Sequence, residues 1–290
     1  MHNKDQLQFW NGPGGQKWVI DNDFMEGMLH DIGILAIDAL APEAGDKVLD
    51  IGCGCGNQTL DLARRVGRKG KVVGVDISAP MLQLGRQIAA AAAHEAIAAV
   101  TFLEADAYDH DFRDGHFDLL FSRFGVMFFD DPVGAFSNLR GALKPNGRLG
   151  FVCWQAPEKN AFMTIPVREA LKYLPAPEPQ PAGAPGPFAF ASSDRIRSIL
   201  ADSGFNNVAI TATTQALQFG AGKSFELACR EILNVGPVSR LLGDADEALK
   251  QLIFDAVCKV LKPFYKPKLG LCFEGNFWVV TAVNSAEQAS

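Results

Sequence analysis

The chain has no excess of positive charge. Its 27 Lys and Arg stand against 33 Asp and Glu, for a net charge of −6. A sequence-independent nucleic-acid binder needs a basic footprint to displace counterions, so the composition argues against one, local patches aside. Long apolar runs are also missing. Residues 88–93 are too few to span a bilayer, and residues 119–129 carry Arg123 within them. Residues 1–10 are polar, and no apolar stretch follows early enough for a secretion signal. A cytoplasmic chain with no membrane insertion is the expectation. The six cysteines form no CxxC pair and no framework spacing, which fits free thiols in a reducing compartment and no metal site.

What is present is an ordinary globular composition of 290 residues, 48% of them hydrophobic, enough for a sizeable core. The first half alternates strands and helices. Apolar runs at 47–51, 71–76, 100–104, 117–122 and 148–154 predict strands. Segments 58–66, 80–94 and 131–144 between them predict helices, two opened by prolines at their first turns. Such interleaving means a parallel sheet with right-handed crossovers. The second half breaks the rhythm. A Pro/Ala/Gly run at 175–187 predicts an extended surface loop. A helix capped at Ser192 and stopping at Gly204 leads to an alternating strand at 207–219. Two helices divided by Gly236-Pro237 fill 224–262, and a last strand covers 273–283.

The most informative segment is 48–57, VLDIGCGCGN. Gly52, Gly54 and Gly56 lie between a strand and a helix, where a ligand can approach backbone that carries no side chain. No GK[ST] follows, so this is not a phosphate-binding P-loop. Three acids surround the turn. Asp50 precedes it, where a phosphate would be repelled and a cation attracted. Asp76 ends the second strand, placed to accept from both hydroxyls of a ribose. Asp106 follows the third strand, placed to accept from an exocyclic adenine amine.

These residues carry a resemblance. LDIGCGCG (49–56), VVGVDIS (72–78), EADA (104–107), FDLLFSRFGVMFFDDP (117–132) and LKPNGRLGFVCW (143–154) together resemble, in order, the motifs of the class I S-adenosylmethionine-dependent methyltransferases. The likeness is to the small-molecule type, similar to the quinone-biosynthesis enzymes. It implies an α/β, Rossmann-like, seven-stranded, mostly parallel sheet of order 3-2-1-4-5-7-6, with the last strand antiparallel and helical lid insertions. It implies S-adenosylmethionine as cofactor. Gly52, Gly54 and the backbone to Gly56 would hold the methionine moiety, and Asp50 would help orient its ammonium. Asp76 would bind the ribose, with Ile77 against the adenine. Asp106 and the Ala107 backbone would meet the adenine edge, and the Ser122 carbonyl would lie near the methionine amine.

On this reading residues 1–44 are a helical leader or cap, and 45–155 the cofactor-binding core. Segments 156–191 and 220–270 are lid or acceptor insertions that leave the carboxyl ends of strands. Segments 192–219 and 271–284 complete the sheet. The partner is a small methyl acceptor, apolar or aromatic in keeping with 21 Phe against 3 Tyr. No nucleic acid is expected, and the chain acts as a monomer or homodimer.

Methyl transfer from a sulfonium needs positioning and exclusion of water more than a base, and no catalytic constellation stands out. Two other functions share parts of this pattern. One is an NAD-dependent oxidoreductase, but GCGCGN is not GxGxxG and Asp50 is out of place for it. The other is a non-catalytic S-adenosylmethionine-binding partner protein.

Several side chains stay open at this point. Arg123 either holds an anionic acceptor or pairs with Asp130 or Asp131. Phe124, Met127, Phe128 and Phe129 line an acceptor pocket or pack the core, at least two of them the latter. Trp10 and Trp18 cap the site or simply anchor the terminus. His110 and His116 fit a solvated loop better than a base. The basic cluster from Arg64 to Lys71 fits a helix terminus, and Lys262, Lys266 and Lys268 an exposed turn.

Overall fold

A computed structural model of the protein describes residues 3–95, 97–112, 116–178, 180–181, 183–243 and 245–285. Three helices precede the first strand: α1 (Lys4–Asn11), α2 (Pro13–Ile20) and α3 (Asn22–Leu40). On α3, Ile32, Ala36, Ile37 and Leu40 recur at helical spacing and are at most 1% exposed, which gives the helix one buried face. The alternating part follows as β1 (Lys47–Ile51), α4 (Asn57–Val66), β2 (Lys71–Asp76), α5 (Ala79–Ala91), β3 (Ala99–Glu104) and β4 (Phe117–Arg123). Helix α4 buries Leu62, Ala63 and Val66 and ends at Gly67, whose φ of 63° the next turn needs.

Helix α6 (Pro132–Ala142) starts at Asp131, whose side chain accepts from the Gly134 amide at 3.0 Å. It leads to β5 (Leu143–Trp154), α7 (Ala161–Ala170), α8 (Ser193–Asp202) and β6 (Asn206–Phe219). Then come α9 (Phe225–Leu233), α10 (Gly236–Leu241), α11 (Glu247–Leu261), β7 (Tyr265–Lys266) and β8 (Gly270–Val283). The expected pair of helices over 224–262 is three, because the chain bends twice, before Gly236 and again ahead of the Asp246 cap of α11.

The sheet has eight strands in the order β3-β2-β1-β4-β5-β8-β6, with β7 added on β8. The order is the expected one, with β8 standing where the seventh strand was expected, between β5 and β6. The expected count of seven is corrected by Tyr265–Lys266, which fold back antiparallel on Gly270 and Leu271. Strands β1 to β5 are joined by parallel pairings. Strand β8 runs against β5: the Asn146 amide donates to the Asn284 carbonyl, and the Gln155 amide to that of Asn276.

The chain divides into two compact units. The first holds residues 1–153, 184–212 and 278–290 and contains β1 to β4 with all three leading helices. Phe136 lies at its centre, with ring centroids of Phe151, Phe190 and Phe205 within 6.3 Å. The second unit holds 154–183 and 213–277. There α7 packs against α9, α10 and α11, so the two inserted segments share one core. Phe162 carries that core, 5.5 Å from Trp154 and 5.7 Å from Phe219 between ring centroids.

Candidate cofactor site

Parallel pairing brings the carboxyl ends of β1, β2, β3 and β4 to one edge. The glycine turn lies there. Gly52, Gly54 and Gly56 have φ of 64°, 56° and 77°, a region closed to most side chains. A Cβ on Gly52 would stand 2.9 Å from Gly125 Cα, so the turns after β1 and β4 meet backbone to backbone. Ser122 is fully buried and supports that meeting from below. Its hydroxyl donates to the Ile51 carbonyl at 2.8 Å and accepts from the Gly125 amide at 3.2 Å. Phe124, just before Gly125, takes a φ of 61°, a strained backbone for a bulky side chain and a common mark of a functional edge.

Asp76 organises the turn. One carboxylate oxygen accepts from the Gly54 amide at 2.8 Å and the other from the Ser78 amide at 2.9 Å. Burial nevertheless pushes the carboxyl upward from its ordinary range, against the pull of those amides. Asp50 is 1% exposed and accepts from the Thr59 hydroxyl of α4 at 2.6 Å. Burial raises its carboxyl to about 7, with Thr59 and then Arg123 acting in the other direction. The free protein therefore keeps two carboxyl groups beside the turn in surroundings that disfavour their charge.

Asp106 has a partner that the sequence did not reveal. Asn3 donates its side-chain amide to both carboxylate oxygens at 2.9 Å, and the Tyr108 amide donates to one of them at 2.9 Å. The Asn3 backbone amide donates to Asp130, and the Asp130 amide returns a bond to the Asn3 side chain at 2.9 Å. Asn11 spans the turn after β2: its amide donates to the Ile77 carbonyl at 2.7 Å, and its oxygen accepts from the Ala79 amide at 2.9 Å. Ser78 donates to the Trp10 carbonyl at 2.6 Å. The Trp10 ring lies edge-on to Trp18 at 6.0 Å and to Phe128 at 5.4 Å. The leader is thus stitched onto the edge that holds Asp76 and Asp106.

Arg123 corrects one expectation. Its partner is neither Asp130 nor Asp131, since Asp130 binds Asn3 and Asp131 caps α6. The guanidinium instead forms a two-pronged pair with Glu26 of α3, one prong at 3.0 Å. Of the four apolar residues after β4, Phe124 and Met127 are buried, while Phe128 and Phe129 are half-buried. Ala107 is buried, and its carbonyl accepts from Asn138 at 3.1 Å. His110 packs on Phe112 with ring centroids 4.6 Å apart, and His116 is exposed. The rest of their loop, residues 113–115, lies outside the described residues.

Cys153 is fully buried, which raises its thiol well above the ordinary value. No cluster of His, Cys, Asp and Glu among the described residues could hold a metal ion. Arg64 and Arg65 are engaged by Glu95, Asp61 and Asp38. Lys262 stacks over the Phe225 ring at 4.4 Å. No helix among the described residues is long and apolar enough to cross a membrane.

A glycine-lined turn after the first parallel strand, with acids closing the next two, is the arrangement that the resemblance to class I S-adenosylmethionine-dependent methyltransferases implies. Residues 48–147 match the family described as a methyltransferase domain. The chain is 35% identical over 131 residues to the 2-phytyl-1,4-naphtoquinone methyltransferase of Trichormus variabilis, covering 45% of this chain and 56% of that one. It is 32% identical over 161 residues to a ubiquinone/menaquinone biosynthesis C-methyltransferase of Marinomonas, covering 55% and 63%. The chain thus spans somewhat more than half the length of these relatives. Its fold is shared with the Haemonchus contortus phosphoethanolamine N-methyltransferase 2 bound to S-adenosylhomocysteine (16% identity, TM-score 0.56, covering 96% and 58%). It is shared too with the YcgJ protein of Bacillus subtilis (16% identity, TM-score 0.55, covering 89% and 99%).

Proposed function

We propose that the protein transfers a methyl group from S-adenosylmethionine to a small apolar or aromatic acceptor, leaving S-adenosylhomocysteine. The observation that carries this reading is the pairing of the glycine turn with Asp76. The donor set fits the cofactor. Positive φ at three glycines turns the backbone tightly at the strand edge, packed too closely on Gly125, Met81 and Phe102 for a Cβ. Each oxygen of Asp76 already takes one backbone amide, which fixes the carboxylate and leaves its other lone pairs for ribose hydroxyls. The acids beside the turn gain their charge most readily opposite a cation, which favours a sulfonium and an ammonium there over a phosphate.

When bound, S-adenosylmethionine supplies a methyl group on a sulfonium, which departs as a neutral thioether. The chain's own residues hold and enclose it. Asp76 binds the ribose and Ile77 packs on the adenine. Asp106 and the Ala107 backbone meet the adenine edge. Gly52, Gly54, Gly56 and the Ser122 carbonyl surround the methionine end. Asp50 supports the turn from within, through Thr59. The leader excludes water through Asn3, Asn11 and Trp10, which favours displacement at the methyl over hydrolysis. No general base is assigned, because a neutral leaving group makes one optional.

The two quinone methyltransferase relatives favour an acceptor with an apolar ring. The second unit, with its shared core of inserted helices, is the place for acceptor specificity. Residues 1–44 act as the cap, and 45–155 as the cofactor-binding core. The acidic balance favours a small-molecule acceptor over nucleic acid, and a cytoplasmic setting suits its free thiols. The test is a labelled-methyl assay. The protein is incubated with methyl-labelled S-adenosylmethionine and a metabolite extract, and labelled products are identified by mass. A labelled small apolar product is expected. Tight binding of NAD with no binding of S-adenosylmethionine would reverse the assignment to an oxidoreductase. Binding without transfer to any acceptor would favour a non-catalytic partner protein.

A further inference from the structure

We propose that Arg123 and Glu26 form the seat for the amino-acid end of the cofactor, the guanidinium taking the α-carboxylate and Glu26, with Gln58, taking the α-ammonium. The inference rests on the reading of the site as an S-adenosylmethionine seat.

The placement follows from register. Strands β1 and β4 are parallel neighbours with Asp50 opposite Phe121, so Arg123, two residues on, stands level with Gly52. Alternation along β4 puts Arg123 on the same face as Phe121, and hence on the face of Asp50, whose carboxylate meets α4 through Thr59. Helix α3 packs on both α4 and β4 there, and it brings Glu26. The Arg123 and Glu26 side chains are 11% and 15% exposed. A pair so far withdrawn from water is costly to form and gives little net stability over an apolar contact. Its position beside the glycine turn calls for another use.

A second observation points to a ligand. Gln58, in the first turn of α4, is 3% exposed, and its Oε1 is buried with no donor. Its amide nitrogen donates to Asp61 at 3.1 Å, while the oxygen has no donor. Gly33 of α3 locates that oxygen near the stem of Arg123: a Cβ there would meet Gln58 Oε1 at 1.9 Å and Arg123 Cδ at 3.0 Å. One spot therefore collects a forked cation, a carboxylate and an unsatisfied carbonyl oxygen. An α-amino acid presents the complementary set, one carboxylate and one ammonium with three donors. Because it is zwitterionic, it enters by exchanging partners with the existing pair and brings no net charge into the site. The forked guanidinium suits a carboxylate, and the ammonium can satisfy Glu26 and Gln58 together. Asp50, held by Thr59, is relieved of that task.

Calorimetry on the full chain with two ligands tests this. S-adenosylhomocysteine carries the amino-acid end, and 5′-methylthioadenosine lacks it. Wild type is expected to bind S-adenosylhomocysteine more tightly. In Arg123→Gln and in Glu26→Gln, affinity for S-adenosylhomocysteine should fall by about tenfold or more, and affinity for methylthioadenosine should stay within about twofold. Equal weakening of both ligands, or unchanged S-adenosylhomocysteine binding in both variants, would overturn the proposal and leave the pair as a clamp for α3. Wild type binding neither ligand would instead overturn the reading of the whole site.

Discussion

At the scale of single residues, the chain keeps carboxyl groups where water cannot stabilise their charge. Asp50 is the clearest case, with burial raising its carboxyl from an ordinary 3.8 to about 7. The folded chain then holds a proton that the unfolded chain has released. Stability from this group is intact below about pH 4, falls as pH rises through the window to about 7, and is fully lost above it. Asparagine keeps an acceptor for the Thr59 hydroxyl without the charge. Thermal melts should therefore show Asp50→Asn close to wild type near pH 4 and more stable near pH 8, by on the order of a few kcal/mol. Melting curves that shift in parallel across that range would mean Asp50 is not held neutral. The sequence showed the acid and its place before the turn. It did not show Thr59 as the partner, because a hydroxyl nine residues on has no distinctive pattern. Asn3 and Glu26 were hidden more deeply. They act at positions 103 and 97 residues away in the chain, and nothing local marks an Asn or Glu that meets a distant residue.

Among the elements, the strands that build the edge were legible because buried parallel strands read as short apolar runs. Lys47–Ile51 and Lys71–Asp76 begin and end where the runs do. The two-residue β7 escaped, since a pair of residues carries no period. The start of β5 at Leu143 escaped too, because Pro145-Asn146-Gly147 reads as a turn although it lies within the strand's span. The turn after β1 carries its own prediction. Alanine at Gly52 would need a φ of 64° and would bring its Cβ to 2.9 Å from Gly125 Cα, backbone that cannot swing aside. Gly52→Ala should cost about 1–3 kcal/mol in chemical denaturation and weaken S-adenosylhomocysteine binding as well. Wild-type values for both would show the two turns to be freer than their close approach implies.

Across the whole molecule, the contacts of the leader are the feature that composition concealed. The sequence left Trp10 and Trp18 open between capping the site and anchoring the terminus, and it marked neither Asn3 nor Asn11. In the fold, Asn3, Trp10 and Asn11 bond to Asp106, Ser78 and the turn after β2, at the edge assigned to the cofactor. Sequence periodicity found the helices of the second half as inserted segments. It could not reveal that they would share one core, because that depends on contacts between residues far apart in the chain. The central claim is that one strand edge, closed by residues from the leader, holds the adenosyl donor. Hydrogen exchange along the full chain, with and without S-adenosylhomocysteine, reads this directly. Added protection is predicted at the glycine turn around 50–57, at 76–79, at 104–108 and in the leader from Asn3 to Trp18. Protection confined to other segments, or none at these four when the ligand is bound, would contradict the account.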